Sequence, residues 1–129
     1  MNPTNDQQLE GTRLRDFIPG AAVPGLEIKD LQVGTGAEVL PDATIKAHYT
    51  GALASNGTIF QSSHDSGSPI TFGLNQVIVG WTKGVPGMKV GGIRRLVIPA
   101  SLAYGEQSPS PNIPPNSDLV FDIELVDIV

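Results

Sequence analysis

Thr44-Ile45-Lys46-Ala47-His48-Tyr49-Thr50 alternates without a break between apolar and polar side chains, and the class of fold follows from that alternation. A period of two puts Ile45, Ala47 and Tyr49 on one face of an extended segment. Thr44, Lys46, His48 and Thr50 fall on the other, as in a half-buried antiparallel strand. The same period returns from Asp118 to Asp127, where Leu119, Phe121, Ile123 and Leu125 share one face and Asp122 and Glu124 share the opposite one. Tyr49 and Phe121 therefore both point to the apolar side of a sheet.

Outward from these two strands, Asn56-Gly57 is a tight-turn dipeptide that joins the first of them to a strand through Ile59 and Phe60. Ile70 and Phe72 alternate with Thr71. The run Ile93 to Ile98 follows Gly91-Gly92 and stops at Pro99, a strand bounded by breakers. Upstream, Leu26, Ile28 and Leu31 begin strand-like segments before a turn at Gly34-Thr35-Gly36. One segment departs from the pattern: Val77 to Val85, stopped by Pro86-Gly87, sets Ile78, Trp81 and Val85 at spacings of three and four and predicts a short helix. Gly80 and the β-branched residues give it little intrinsic helicity, so packing of Trp81 must hold it. Nothing repeats at a fixed period and strands do not alternate with long helices. The fold class is therefore α+β, an antiparallel sheet with one short helix against it.

With 129 residues, the chain suits one domain large enough to bury a core. Residues 1–25 read as an N-terminal arm or linker, polar and broken by Pro3, Pro19, Gly20 and Pro24 around a small apolar patch at Phe17-Ile18, with the folded domain over residues 26–129. The net charge of −5, with Arg94-Arg95 the longest basic run, argues against nucleic acid and anionic membranes as partners. The absence of cysteine removes disulfides, zinc-thiolate sites and cysteine nucleophiles. No secretory signal or membrane span is read in the chain, so the expected compartment is the cytoplasm, or an extracytoplasmic one if a leader precedes this sequence. A monomer is expected.

Hydrolytic chemistry is hard to assemble. Ser62 or Ser63 with His64 and Asp65 would make a serine-histidine-aspartate set, but side chains so close in sequence rarely meet that geometry, and a hydrogen-bonded turn explains them as well. His48 and His64 are too far apart for a helical metal pair and no carboxylate cluster accompanies them, so no metal site is expected. Gly84 to Gly92 lacks the spacing of a phosphate-binding loop. What is left is aromatic. Of one Trp, two Tyr and four Phe, five (Tyr49, Phe60, Trp81, Tyr104 and Phe121) fall in segments that could converge around an apolar pocket. Singly, each is ordinary core.

Seven blocks occur in order: His48-Tyr49-Thr50-Gly51, Gly57 to Ser63, Val77-Ile78-Val79-Gly80-Trp81, Gly87 to Gly91, Leu102-Ala103-Tyr104-Gly105, Ile113-Pro114-Pro115 and Leu119 to Leu125. Together they resemble the FKBP-type peptidyl-prolyl cis-trans isomerases over roughly Leu26 to Val129. The resemblance implies a half-open, twisted five-stranded antiparallel sheet wrapped around one short helix, with the site between them. It implies that Tyr49, Phe60, Trp81, Tyr104 and Phe121 form the catalytic pocket, with Trp81 as its floor. Gln61, Ile70, Val77, Ile78 and Ile113 are then substrate-binding residues, and the Ile78 N–H and the Tyr104 hydroxyl donate to ligand carbonyls. It further implies catalysis of rotation about X-Pro bonds in peptides and unfolded proteins without a cofactor, and binding of macrolides of the FK506 and rapamycin type. The alternative is a proline-peptide binding or chaperone module with weak or no turnover. Departures from the family pattern are Gln61 where Asp is common, Ile70 where an aromatic is common, Ser66 where Arg is common, and the loop Ser108 to Asn112. The Pro-rich run Ser108 to Pro115 reads as a stiffened loop at the pocket rim, with a polyproline ligand for another protein as the second reading.

Overall fold

Among the described residues six strands and one α-helix form where the hydrophobic periods place them: β1 (Glu27–Gln32), β2 (Thr44–Leu53), β3 (Ile59–Ser62), β4 (Ile70–Gly73), α1 (Val79–Gly84), β5 (Ile93–Ile98) and β6 (Leu119–Ile128). The computed structural model describes residues 9–20 and 22–129, so most of the arm's polar start, from Asn2 to Gln8, lies outside the described residues. All strand pairings are antiparallel, in the order β1-β5-β6-β2-β3. β4 takes the half of the β2 edge that β3 leaves free: Ala47 pairs with Ile70 and Ile45 with Phe72, while Thr50 and Gly51 pair with Ser62 and Gln61. Six strands thus occupy five positions, which is the expected sheet.

The two alternating strands lie side by side at its centre. Tyr49 pairs with Ile123 and Gly51 with Phe121, so the apolar faces of β2 and β6 coincide. Ile45, Ala47, Leu96, Ile98, Leu119 and Ile123 on that face are fully buried. The helix is shorter than the sequence reading, six residues rather than nine, because Val77 and Ile78 stay extended and Ile78 acts as its N-cap without a side-chain cap bond. Tertiary packing compensates. Gly80 and Gly84 face β5, and a Cβ on either would come within 2.6–2.7 Å of Ile98 or Leu96. The glycines that weaken the helix locally are what let it approach the sheet. Arg94 on β5 donates from Nη1 to the Gly84 and Pro86 carbonyls at 2.8 and 3.2 Å, satisfying orphan acceptors at the helix C-terminus.

The segment 9–20 runs along the free edge of β3. The Gly11 N–H donates to Ile59 O at 2.7 Å, the Ile59 N–H to Thr12 O at 2.7 Å, and the Leu14 N–H to Gly57 O at 2.8 Å. Leu9, Leu14 and Phe17 cover a second, smaller apolar cluster of Ala52, Ile59 and Val120 on the outer face of the sheet. Ile18, the other half of the expected apolar patch, is exposed. Arg95, only 8% exposed, pins the segment from beneath. Its guanidinium pairs with Asp122 at 2.7 and 2.8 Å and donates to the backbone carbonyls of Asp16 and Arg15.

Candidate active site

Between the concave face of the sheet and α1 lies an open cavity of about 430 Å³, lined by Tyr49, Phe60, Gln61, Phe72, Gln76, Val77, Ile78, Trp81, Tyr104 and Phe121. β2 contributes Tyr49, β3 Phe60 and Gln61, and β6 Phe121. The turn into the helix contributes Val77 and Ile78, α1 contributes Trp81, and the turn after β5 contributes Tyr104. Period-two alternation aims the strand aromatics inward, and the helical spacing brings Trp81 beneath them. The indole, 3% exposed, meets Tyr49 at 5.6 Å and 80°, Phe121 at 5.4 Å and 84°, and Phe72 at 5.0 Å and 59° between ring centroids and planes. Phe60 stands edge-on to Phe121 at 5.8 Å. Such edge-to-face packing holds each ring by its neighbours, so the floor is stiff.

Eight of the ten residues expected at the site line this cavity. Ile70 and Ile113 do not. Ile70 sits at the outer end of β4 and is partly exposed, and the lining residue of that strand is Phe72, two positions further in. Ile113 is buried with the main cluster behind the rim, fixed by its own N–H on Ser110 O and by the Ser108 hydroxyl on its carbonyl. Phe72 and Gln76 are the lining residues that were not singled out. The alternation of Ile70, Thr71 and Phe72 was the available signal for Phe72, since it puts Phe72 on the same face as Ile70.

Among the described residues no charged side chain lines the cavity; its polar groups are two amides, two phenols, the Trp81 indole N–H and backbone. Among the described residues the Ile78 N–H has no acceptor, and neither the Tyr49 nor the Tyr104 hydroxyl is engaged. Tyr104 is the more open of the phenols, 38% exposed against 7% for Tyr49. Burial, with a smaller push from Tyr104, raises the Tyr49 phenol above its ordinary range, keeping it neutral. The outer face of the sheet carries the remaining polar cluster. His48 and His64 stack at 4.2 Å, His64 Nε2 meets Glu124 at 2.6 Å, and Ser63 Oγ contacts His48 Nδ1 at 2.8 Å and accepts the Tyr49 N–H. Ser62 and Ser63 are both buried with their hydroxyls occupied, Ser62 by Thr50 Oγ1 and the His64 N–H and Ser63 by His48 and Tyr49, so the serine-histidine-aspartate alternative has no accessible nucleophile there. The structure joins His64 to Glu124, not to Asp65, whose carboxylate instead accepts the N–H groups of Leu9 and Glu10 at 2.7 and 3.1 Å.

The antiparallel sheet and α1 thus enclose an open, aromatic-lined hollow with no charged side chain on its lining among the described residues. Residues 36–126 match the family model described as FKBP-type peptidyl-prolyl cis-trans isomerase. The chain is 54% identical over 93 residues to the Saccharomyces cerevisiae peptidyl-prolyl cis-trans isomerase FPR2, covering 70% of this chain and 69% of that one. It is 47% identical over 106 residues to a Neisseria meningitidis FK506-binding protein, covering 81% and 96%. Among solved structures it is similar to FkpA from Escherichia coli, with TM-score 0.73 and 43% identity over 81% of this chain and 48% of that one. It is also similar to AtFKBP13, with TM-score 0.72 and 41% identity over 84% and 97%. It spans about half the length of FkpA and of the matching Haemophilus influenzae relative. The chain belongs to the FKBP-type peptidyl-prolyl cis-trans isomerase family, and its activity class is isomerisation of X-Pro peptide bonds. Among the described residues, no helix is long and apolar enough to cross a membrane.

Proposed function

We propose that the cavity floored by Trp81 receives the proline ring of an X-Pro pair and that its walls, rather than any proton transfer, accelerate rotation. The observation that supports this reading is a hollow of about 430 Å³, lined by six aromatic side chains and by no charged side chain among the described residues, with an unengaged backbone donor at Ile78 on its edge. Rotation breaks no bond and moves no proton; it needs only loss of amide resonance across about 18–20 kcal/mol. The planar amide is more charge-separated than the twisted one, so a dry pocket penalises the ground state more than the transition state. Each ~1.4 kcal/mol of that difference is tenfold in rate.

In this reading Tyr49, Phe60, Trp81, Tyr104 and Phe121 hold the pyrrolidine, joined by Phe72. The Ile78 N–H and the Tyr104 hydroxyl donate to carbonyls flanking the rotating bond, so that one end stays fixed while the other turns. Gln61 and Gln76 present neutral amides that both donate and accept, recognising peptide backbone without selecting its charge. The natural substrates are then proline-bearing segments of unfolded chains, and macrolides of the FK506 type compete for the same walls. In this reading the protein acts as a monomer whose isomerase domain spans residues 26–129, with segment 9–20 packed onto its β3 edge.

Exchange NMR or a protease-coupled assay on short X-Pro peptides tests the reading. The expected result is turnover abolished by FK506 and reduced several-fold in Tyr104→Phe with unchanged thermal stability. Macrolide binding with peptide interconversion no faster than in buffer overturns it in favour of a binding module.

A further inference from the structure

The wall made by Phe60 has a second side. There the N-terminal segment, β3 and the rim loop enclose a smaller cleft of about 170 Å³, lined by Glu10, Gly11, Thr58, Ile59, Phe60 and Asn112. Phe60 lines both hollows. The two hollows share the Phe60 wall and an extended peptide advances about 3.3–3.6 Å per residue, so the residues flanking an X-Pro pair in the larger hollow are the candidates to enter the smaller one.

Glu10 is the one formal charge on the lining of either hollow. It is also held in place. Its N–H donates to the Asp65 carboxylate at 3.1 Å, and its Oε2 accepts from Asn112 Nδ2 of the rim loop at 3.2 Å. The nearest arginine on the same segment, Arg13, lines the separate cavity on the sheet's outer face and does not line this cleft. A glutamate held through its backbone N–H and through one carboxylate oxygen, beside an aromatic ring and without a cation on the lining, matches a long basic side chain. The methylenes of Lys or Arg would lie along Phe60 while the charged head meets Glu10.

We propose that this cleft is a secondary subsite for a residue within two positions of the X-Pro pair, and that Glu10 makes it select Lys or Arg. The inference rests on the larger cavity being the proline site. A peptide series with Lys, Ala or Glu at each of the two positions on either side of X-Pro tests it, read as kcat/KM by exchange NMR and as Kd by Trp81 fluorescence. At one position Lys is favoured over Glu by about 1.5- to 5-fold at low ionic strength, as expected of an exposed ion pair, and the preference shrinks as salt is added. Glu10→Gln brings that ratio close to one and Glu10→Lys inverts it. Glu27→Gln, the same loss of charge on the far edge strand, leaves it in place. A wild-type ratio of one at every position, or a ratio that Glu27→Gln removes as well, overturns the subsite while leaving the proline site standing. Peptides that neither bind nor turn over overturn both.

Discussion

Trp81 and Phe121 meet edge to face, ring centroids 5.4 Å apart and planes at 84°. One ring comes from α1 and the other from the strand β6, so the floor of the cavity doubles as the joint between helix and sheet. Trp81→Ala should therefore remove both, lowering unfolding free energy by about 3–5 kcal/mol and abolishing peptide binding. Trp81→Phe should fold with a smaller loss and bind peptides more weakly through a widened floor. Urea unfolding and peptide titration on both variants check this; a Trp81→Ala variant as stable as wild type contradicts the packing argument.

Gly51, on β2, lies against the cavity walls. A Cβ built there would stand 2.7 Å from Phe121 Cε1 and 2.7 Å from Phe60 Cζ. Gly51→Ala must displace both rings or the strand itself, so it should cost about 1–3 kcal/mol by overpacking and weaken proline-peptide affinity several-fold. Measuring stability and affinity on the same sample separates this from a purely structural effect, in which affinity stays constant.

Arg95 joins the N-terminal segment to the sheet. Asp122 raises its pKa by hydrogen bonding and charge, which outweighs the opposing effect of burial. Arg95→Met should leave Asp122 without its cation and the carbonyls of Arg15 and Asp16 without their donor. The expected loss is about 2–3 kcal/mol, below the full penalty for a broken buried pair because the Asp122 side chain retains 20% exposure. Amide exchange should quicken across residues 11–17 before it does so in β2 or β6. Uniform quickening across the sheet would mean that the pair holds the core rather than the segment.

His48 makes stability depend on pH. Desolvation first, and then repulsion from His64, push its pKa below the ordinary 6.5, against a smaller opposing pull from Glu124. The unfolded chain therefore binds a proton that the folded chain refuses, so unfolding free energy rises with pH across that window and falls as the solution is acidified from 6.5 toward the lowered folded value. His48→Gln should flatten this slope just below pH 6.5, seen as thermal midpoints that no longer track pH there. An unaltered slope would assign the dependence to another group.

Most of the sheet was legible because strand alternation is a local property: the aligned faces of Ile45, Ala47 and Tyr49, and of Leu119, Phe121 and Ile123, can be counted along the chain. The limits of β5 were equally plain, since Gly92 and Pro99 bracket it. The helix was harder. Its true start at Val79 depends on Ile78 remaining extended at the cavity edge, and Gly80 and Gly84 reveal their purpose only beside Ile98 and Leu96.

By itself the sequence determined which side chains can share a face, that the one Trp falls in the short helical segment, and that a candidate pocket would be aromatic rather than charged in its lining. Only the tertiary structure decided that β3 and β4 share one edge of β2, which brings Phe72 into the cavity and leaves Ile70 outside. Tertiary structure likewise decided that residues 9–20 lie along β3, bound by Asp65, Arg95 and Asn112 from distant parts of the chain. Periodicity fixes the direction of a side chain relative to its own backbone. Which two backbones become neighbours depends on burial and hydrogen bonding summed over segments far apart in the chain, and no local pattern encodes that sum.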